Sequence, residues 1–252
     1  MLTLALTALL GGAPPPPDTT LVVSVVRFHR ADASQTQVAA FIEAPGVPGS
    51  TLAVRVTDAY GTTLWDQRWP RSGRTGDQSG DVEHLRFTVG PGAHELRVAV
   101  QDSLGRKIST TTAHFEGYRA PPGASDLLLA PMIRSGVLPD SMPRAEEFRR
   151  GDLLITASAR ARVNVEAPDL YYLLEAYNGV GGPGTLAITI EDEGGMLVRE
   201  APPATVLVPK PVAVLTGQLD LSSLPAGRYL LRVRLVVDGR LLERVAGFER
   251  QM

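Results

Sequence analysis

Four histidines, His29, His84, His94 and His114, are the side chains best suited to proton transfer near neutral pH, and all lie in the first half of the chain. No two are spaced i,i+2 or i,i+4, so a metal site would need strands to converge. His84 and His94 fall on consecutive expected strands and form the one conceivable pair, with no third ligand in view. Nucleophilic catalysis has even less support. No G-x-S-x-G elbow occurs, and Ser72-Gly73 and Ser79-Gly80 sit in a polar stretch from Pro70 to Glu83 that reads as a loop.

The carboxylates gather at strand ends. Asp58 to Gly61 and Asp102 to Gly105 are Asp-x-x-Gly turns, and Asp238-Gly239 is a hairpin signal. Glu191, Asp192 and Glu193 form the densest acidic group and would be the place for calcium between sandwich loops, although turn chemistry alone accounts for such residues. Nothing sets two carboxylates across a cleft as a glycosidase requires. The segment Gly179-Val180-Gly181-Gly182-Pro183-Gly184 has no helix start behind it to cradle phosphate. It reads as a long hairpin loop, with Gly181 and Gly182 as candidates for partner contact. Trp65 and Trp69 lie two strand periods apart and share one face of a sheet. Facing inward they are core; facing outward they would stack a sugar ring or a partner. Tyr171 and Tyr172 are adjacent, so one of them points away from the core. Arg150-Gly151-Asp152 has the letters of an integrin tripeptide but opens an expected strand, where Gly-Asp makes a turn.

These residues must be held by something, and the bulk properties bound what that is. The chain has 252 residues, a formal net charge of -2 and no cysteine. Disulfides, thiolate metal sites and cysteine nucleophiles are thereby excluded. The weak net charge argues against a nucleic acid partner. Lys107 and Lys210 are the only lysines among 25 basic residues, a bias that fits a GC-rich genome. Met1 to Leu10 is an apolar run of signal-peptide length, followed by Gly11-Gly12-Ala13 and the stiff spacer Pro14 to Pro17. It is too short for a transmembrane helix. Export to the periplasm or beyond is therefore expected, with no membrane span in the mature chain and no cofactor.

Beyond residue 20, Gly and Pro punctuate short alternating or β-branched runs, and no stretch keeps helical spacing. Strands are expected near 21–28, 36–44, 51–58, 62–69, 84–89, 93–102 and 106–116. A second set is expected near 126–133, 152–157, 170–177, 185–192, 196–200, 215–221, 228–238 and 240–249. The two sets share sequence. Thr51-Leu52-Ala53-Val54 matches Thr185-Leu186-Ala187-Ile188 at an offset of 134, and Glu43-Ala44 matches Glu175-Ala176 at 132. Leu96-Arg97-Val98 matches Leu231-Arg232-Val233 at 135, and Phe115-Glu116 matches Phe248-Glu249 at 133. Four matches in one order imply one fold written twice. About seven strands per hundred residues is the rhythm of an immunoglobulin-like or fibronectin-III-like sandwich.

Leu224-Pro225-Ala226-Gly227-Arg228-Tyr229-Leu230-Leu231-Arg232-Val233 resembles a strand entry common in bacterial immunoglobulin-like modules. Ser125-Asp126-Leu127-Leu128-Leu129-Ala130, with Tyr171-Tyr172-Leu173-Leu174-Glu175-Ala176-Tyr177-Asn178 further on, resembles the β-rich N-terminal region of bacterial GWxTD-domain proteins. The segment that names that family does not occur in the sequence. The resemblance covers most of residues 20–250 and implies fold and envelope location; it implies no activity.

The expectation is an all-β protein of two tandem immunoglobulin-like or fibronectin-III-like β-sandwiches: a signal-like segment and spacer over 1–19, a module over 20–118, a linker over 119–124 and a second module over 125–252. The short linker suggests modules touching end to end. The expected role is a non-enzymatic interaction or scaffold module for an envelope protein, through loops or by strand addition at an exposed edge. Pro202-Pro203 and Pro209-Lys210-Pro211 would block edges of the second module, leaving Leu64 to Trp69 of the first less protected. The alternative is carbohydrate binding by Trp65 and Trp69.

Overall fold

The structure, a computed structural model, describes residues 20–30, 35–47, 49–71, 82–136, 143–144, 146–177 and 181–252. The signal-like run and its spacer, Ser72, Gly73, Ser79, Gly80, Asn178, Gly179 and Val180 lie outside the described residues. The described chain is all β. No helix among those residues is long and apolar enough to cross a membrane.

The first half contains β1 (Val22–Arg30), β2 (Gln35–Glu43), β3 (Thr51–Asp58), β4 (Thr63–Pro70), β5 (Val82–Val89), β6 (Gly92–Gln101) and β7 (Lys107–Gly117). Each answers to one expected strand. They form two antiparallel sheets, ordered β1-β2-β5 and β4-β3-β6-β7. Alternation supplies the core between the sheets: Val38, Ala40 and Ile42 of β2 meet Leu52, Val54 and Val56 of β3 and Leu96, Val98 and Val100 of β6. Asp58 and Asp102 make the expected turns. Oδ1 of Asp58 accepts the Tyr60 and Thr62 N–H groups at 2.9 and 2.8 Å, and Oδ1 of Asp102 accepts those of Leu104 and Arg106 at 2.9 and 2.8 Å.

The second half contains β8 (Leu128–Ala130), β9 (Ile133–Ser135), β10 (Glu147–Arg150), β11 (Leu153–Thr156), β12 (Arg162–Val163), β13 (Asp169–Tyr177), β14 (Gly182–Asp192), β15 (Leu197–Val208), β16 (Val212–Asp220), β17 (Gly227–Val237) and β18 (Arg240–Arg250). Its main sheets are ordered β16-β13-β8 and β12-β18-β17-β14-β15. Leu170, Tyr172 and Leu174 of β13 pack against Leu231, Val233 and Leu235 of β17 as the second core. Asp238 and Gly239 have φ of 49° and 68°, the left-handed pair that a two-residue hairpin between β17 and β18 needs.

Three features depart from expectation. β9, β10 and β12 have three, four and two residues, too few for alternation to show in sequence. With β11 they form an insert between β8 and β13, in which β10-β11-β9 is a small sheet. β15 is much longer than expected, because Pro202 and Pro203 do not end it. The register passes from Leu186 opposite Ala204 to Ile188 opposite Ala201, so the prolines occupy a bulge on an edge strand. Finally, β13 and β14 belong to different sheets, so the hairpin expected between them is not formed.

The halves meet through sheet faces, not end to end. Val26, Phe28, Ala39 and Phe41 leave the outer face of the first sheet and join Leu128, Ala130 and Leu173 of the second half, with Phe148, Ile155, Ala157 and Ala159 of the insert between them. The apolar run Val38 to Ile42 follows directly: odd and even positions are both buried, on opposite faces.

Candidate interaction surfaces

β4 is an edge strand of the first half. The Arg71 N–H donates to the Ser50 carbonyl at 2.9 Å, which fixes the register: Trp65, Gln67 and Trp69 of β4 turn their amides toward β3. The amides of Asp66 and Arg68 therefore point away from the sheet, Pro70, lacking an N–H, takes the last outward position, and Leu64 is the extra residue of a bulge opposite Val56. Trp65 and Trp69 share the inward side, as their spacing requires. Both are half-buried against the first core, their rings edge-on at 6.4 Å, and Trp65 stacks on Phe87 of β5 at 6.1 Å. They seal the seam where the two sheets part. Asp66 on the outward side pairs with Arg55 at 2.6 Å.

The acidic group does not converge. Glu191 accepts from Nε and Nη2 of Arg232 at 2.7 and 2.9 Å, and that guanidinium holds its carboxyl below the usual range. Asp192 accepts the Met196 N–H at 2.9 Å to close its own turn, and Glu193, on the exposed rim, lies 3.4 Å from Arg228. Among the described residues no three His, Asp or Glu side chains are grouped as a metal would require. Gly181, just before β14, and Gly182, its first residue, have φ of 69° and 134°. A side chain at Gly181 would press on Lys210, so glycine there serves backbone shape and close packing.

The histidines are also dispersed. His84 packs on Phe148 at the junction of the halves, where burial, with Arg86 nearby, lowers its pKa. His94 lies in the other sheet, stacked on Phe115 with its Nε2 3.0 Å from the Gly90 carbonyl. Gly151-Asp152 is the two-residue turn between β10 and β11, with Arg150 opposite Leu153.

Arg150 turns inward, and its role was not apparent in sequence. Its Nε and Nη2 donate to the two Glu175 oxygens at 2.5 and 2.6 Å, its Nη1 to Gln37 at 2.7 Å, and its guanidinium lies 3.6 Å over the Phe28 ring. The Tyr177 hydroxyl donates to Glu175 at 2.8 Å and accepts the His29 N–H at 2.8 Å. Burial, then the Glu175 charge, raises the pKa of that hydroxyl. Beside this group Asp126 accepts from Nε and Nη2 of Arg27 at 2.8 Å each. Tyr118 lies under the same guanidinium, 5.2 Å from it, and its hydroxyl is pushed up to about 12, chiefly by burial. Ser125 exchanges bonds with Glu175: its N–H donates to the Glu175 carbonyl at 2.8 Å and its Oγ accepts the Glu175 N–H at 3.0 Å. The Ser125-Asp126 and Glu175-x-Tyr177 motifs thus come together as the polar lock between the halves. A sequence signal existed: Glu175 lies in a run apolar on both parities, where a charge needs a partner. No protein-family model matches the sequence, and no curated protein is similar to it.

Proposed function

We propose that the chain is a non-enzymatic protein-interaction module of the bacterial envelope, built from two tandem immunoglobulin-like or fibronectin-III-like copies, which captures a partner by strand addition at β4. The observation that carries this reading is the pair of outward amides at Asp66 and Arg68 on the open edge of β4, with no proline between them. Its counterpart β15 carries Pro202-Pro203 at a bulge, a usual device against unwanted pairing. The common strand order of the two halves and the matched segments support the tandem reading. The apolar N-terminal run supports the envelope.

The test is in-cell crosslinking of the tagged full-length chain, with mass spectrometry of envelope and cytoplasmic fractions. One dominant protein partner in the envelope is expected, lost in Asp66→Pro and kept in Asp66→Ala, which removes only the pair with Arg55. Capture unchanged in Asp66→Pro would sink the edge mechanism. Recovery of a glycan, abolished by Trp65→Ala, would replace the reading with carbohydrate binding. Recovery only in the cytoplasm with Met1 intact would refute the location.

A further inference from the structure

Away from β4, a cleft of about 600 Å³ opens between the halves, where β1 of the first sandwich faces β18 of the second. Both are edge strands along this stretch, β18 being paired with β12 only at Glu249 and Arg250. On β1 the outward positions are fixed by Arg27, whose N–H donates to Asp126 Oδ2 at 2.9 Å and whose carbonyl accepts the Asp126 N–H at 3.0 Å. Two residues back, Val25 presents the same edge to the cleft with no neighbouring strand. On β18 the Glu249 N–H donates to the Ala161 carbonyl at 2.8 Å, so Gly247 and Val245 present the open edge.

The cleft is also basic. Arg27, Arg160, Arg162, Arg228 and Arg244 line it against Asp126, Glu193 and Glu249; Arg27 is paired with Asp126, Arg160 and Arg162 with Glu43, and Arg162 also with Glu249, so Arg228 and Arg244 are the charges that could meet an acidic partner. Arg244 donates to the carbonyls of Ala124, Ser125 and Glu243 at 2.7, 2.7 and 2.8 Å, and no carboxylate among the described residues pairs with it. The Arg228 to Glu193 pair is long, at 3.4 Å, and both side chains are well exposed. Apolar Val25, Leu230 and Val245 stand between these charges. Open backbone edges call for another backbone, and fixed guanidinium groups call for carboxylates.

We propose that this cleft binds an extended acidic peptide segment, added as a strand in the cleft, its acidic side chains on Arg228 and Arg244 and its alternate apolar side chains on Val25, Leu230 and Val245. The site is independent of β4. Fluorescence polarisation on the full chain tests it, with a labelled ten-residue peptide alternating Glu and Val. Saturable binding is expected, weakened about tenfold in Arg228→Glu and about tenfold when alternate peptide amides are N-methylated, which removes the donors of the added strand. Asp66→Pro is expected to leave this binding unchanged, which separates it from capture at β4. The proposal is overturned if no saturable binding appears, or if binding ignores both N-methylation and Arg228→Glu. It is likewise overturned if polygalacturonate displaces the peptide at equal carboxylate concentration, since the cleft would then read acidic polymers without regard to backbone.

Discussion

Replacing Arg150 with methionine tests whether the lock between the halves governs stability. The change keeps the side-chain stem and removes the guanidinium. Glu175, whose side chain is 7% exposed, then keeps only the Tyr177 hydroxyl and loses the bonds at 2.5 and 2.6 Å. Breaking one side of a buried ion pair costs about 3–5 kcal/mol. About 1 kcal/mol of that is the contact over Phe28. A chain of this size has a urea dependence near the upper end of the ordinary range, about 3 kcal/mol per molar, so the midpoint should fall by roughly 1–2 M. Both tryptophans lie in the first half, so their emission follows that half alone, while far-UV circular dichroism follows the whole chain. The two transitions should coincide in the native protein and separate in Arg150→Met. Adding Glu175→Leu removes the stranded charge and should recover most of the loss. A midpoint shift of Arg150→Met below roughly 0.3 M, or a double variant no more stable than the single, refutes the reasoning.

Two further outcomes follow from local geometry. Glu147 is buried and accepts from Arg134 Nε at 2.8 Å and Nη2 at 2.7 Å, and that guanidinium holds its carboxyl at about 2, down from 4.5. A depressed folded pKa stabilises above the unfolded value and the gain is lost as pH falls toward the folded one, so the melting temperature should drop between those values. Glu147→Gln should flatten that drop, and parallel slopes would refute the assignment. Gly217 on β16 lies opposite Tyr172, and a Cβ there would stand 2.5 Å from a ring carbon. Gly217→Ala should destabilise by about 1–3 kcal/mol in urea melts, relieved by Tyr172→Leu, and a neutral Gly217→Ala would mean that the ring shifts without strain.

The strands of both sandwiches were legible because each presents several residues of alternation or an uninterrupted apolar run between glycine turns. The Asp-led turns could be read too, since Asp58 and Asp102 carry their chemistry within four residues. What sequence hid was contact between distant segments. Ala39 and Phe41 signalled a second buried face on β2, yet nothing local named its cover. Of the insert only β11 could be read, because Glu147 to Arg150 and Arg162-Val163 are too short to alternate visibly. Arg150 was masked by its neighbours, since Gly151-Asp152 reads as a turn whatever Arg150 does. The facing edges of β1 and β18 lie more than two hundred residues apart and meet only through tertiary packing.

The face carrying Phe28 and Phe41 has a consequence for how the protein is made. Residues up to Phe115 complete the core of the first sandwich, so that half can close as soon as they clear the ribosome. Its outer face cannot be covered then, because its partners run from Leu128 to Leu173. At about 5–20 residues per second, roughly 3–12 s of synthesis separate the closed first half from its full cover. Throughout that interval the nascent chain displays two phenylalanines to solvent. Phe148 and Ile155 of the insert emerge before Leu173, so the small sheet of the insert is the first large cover the growing chain can supply.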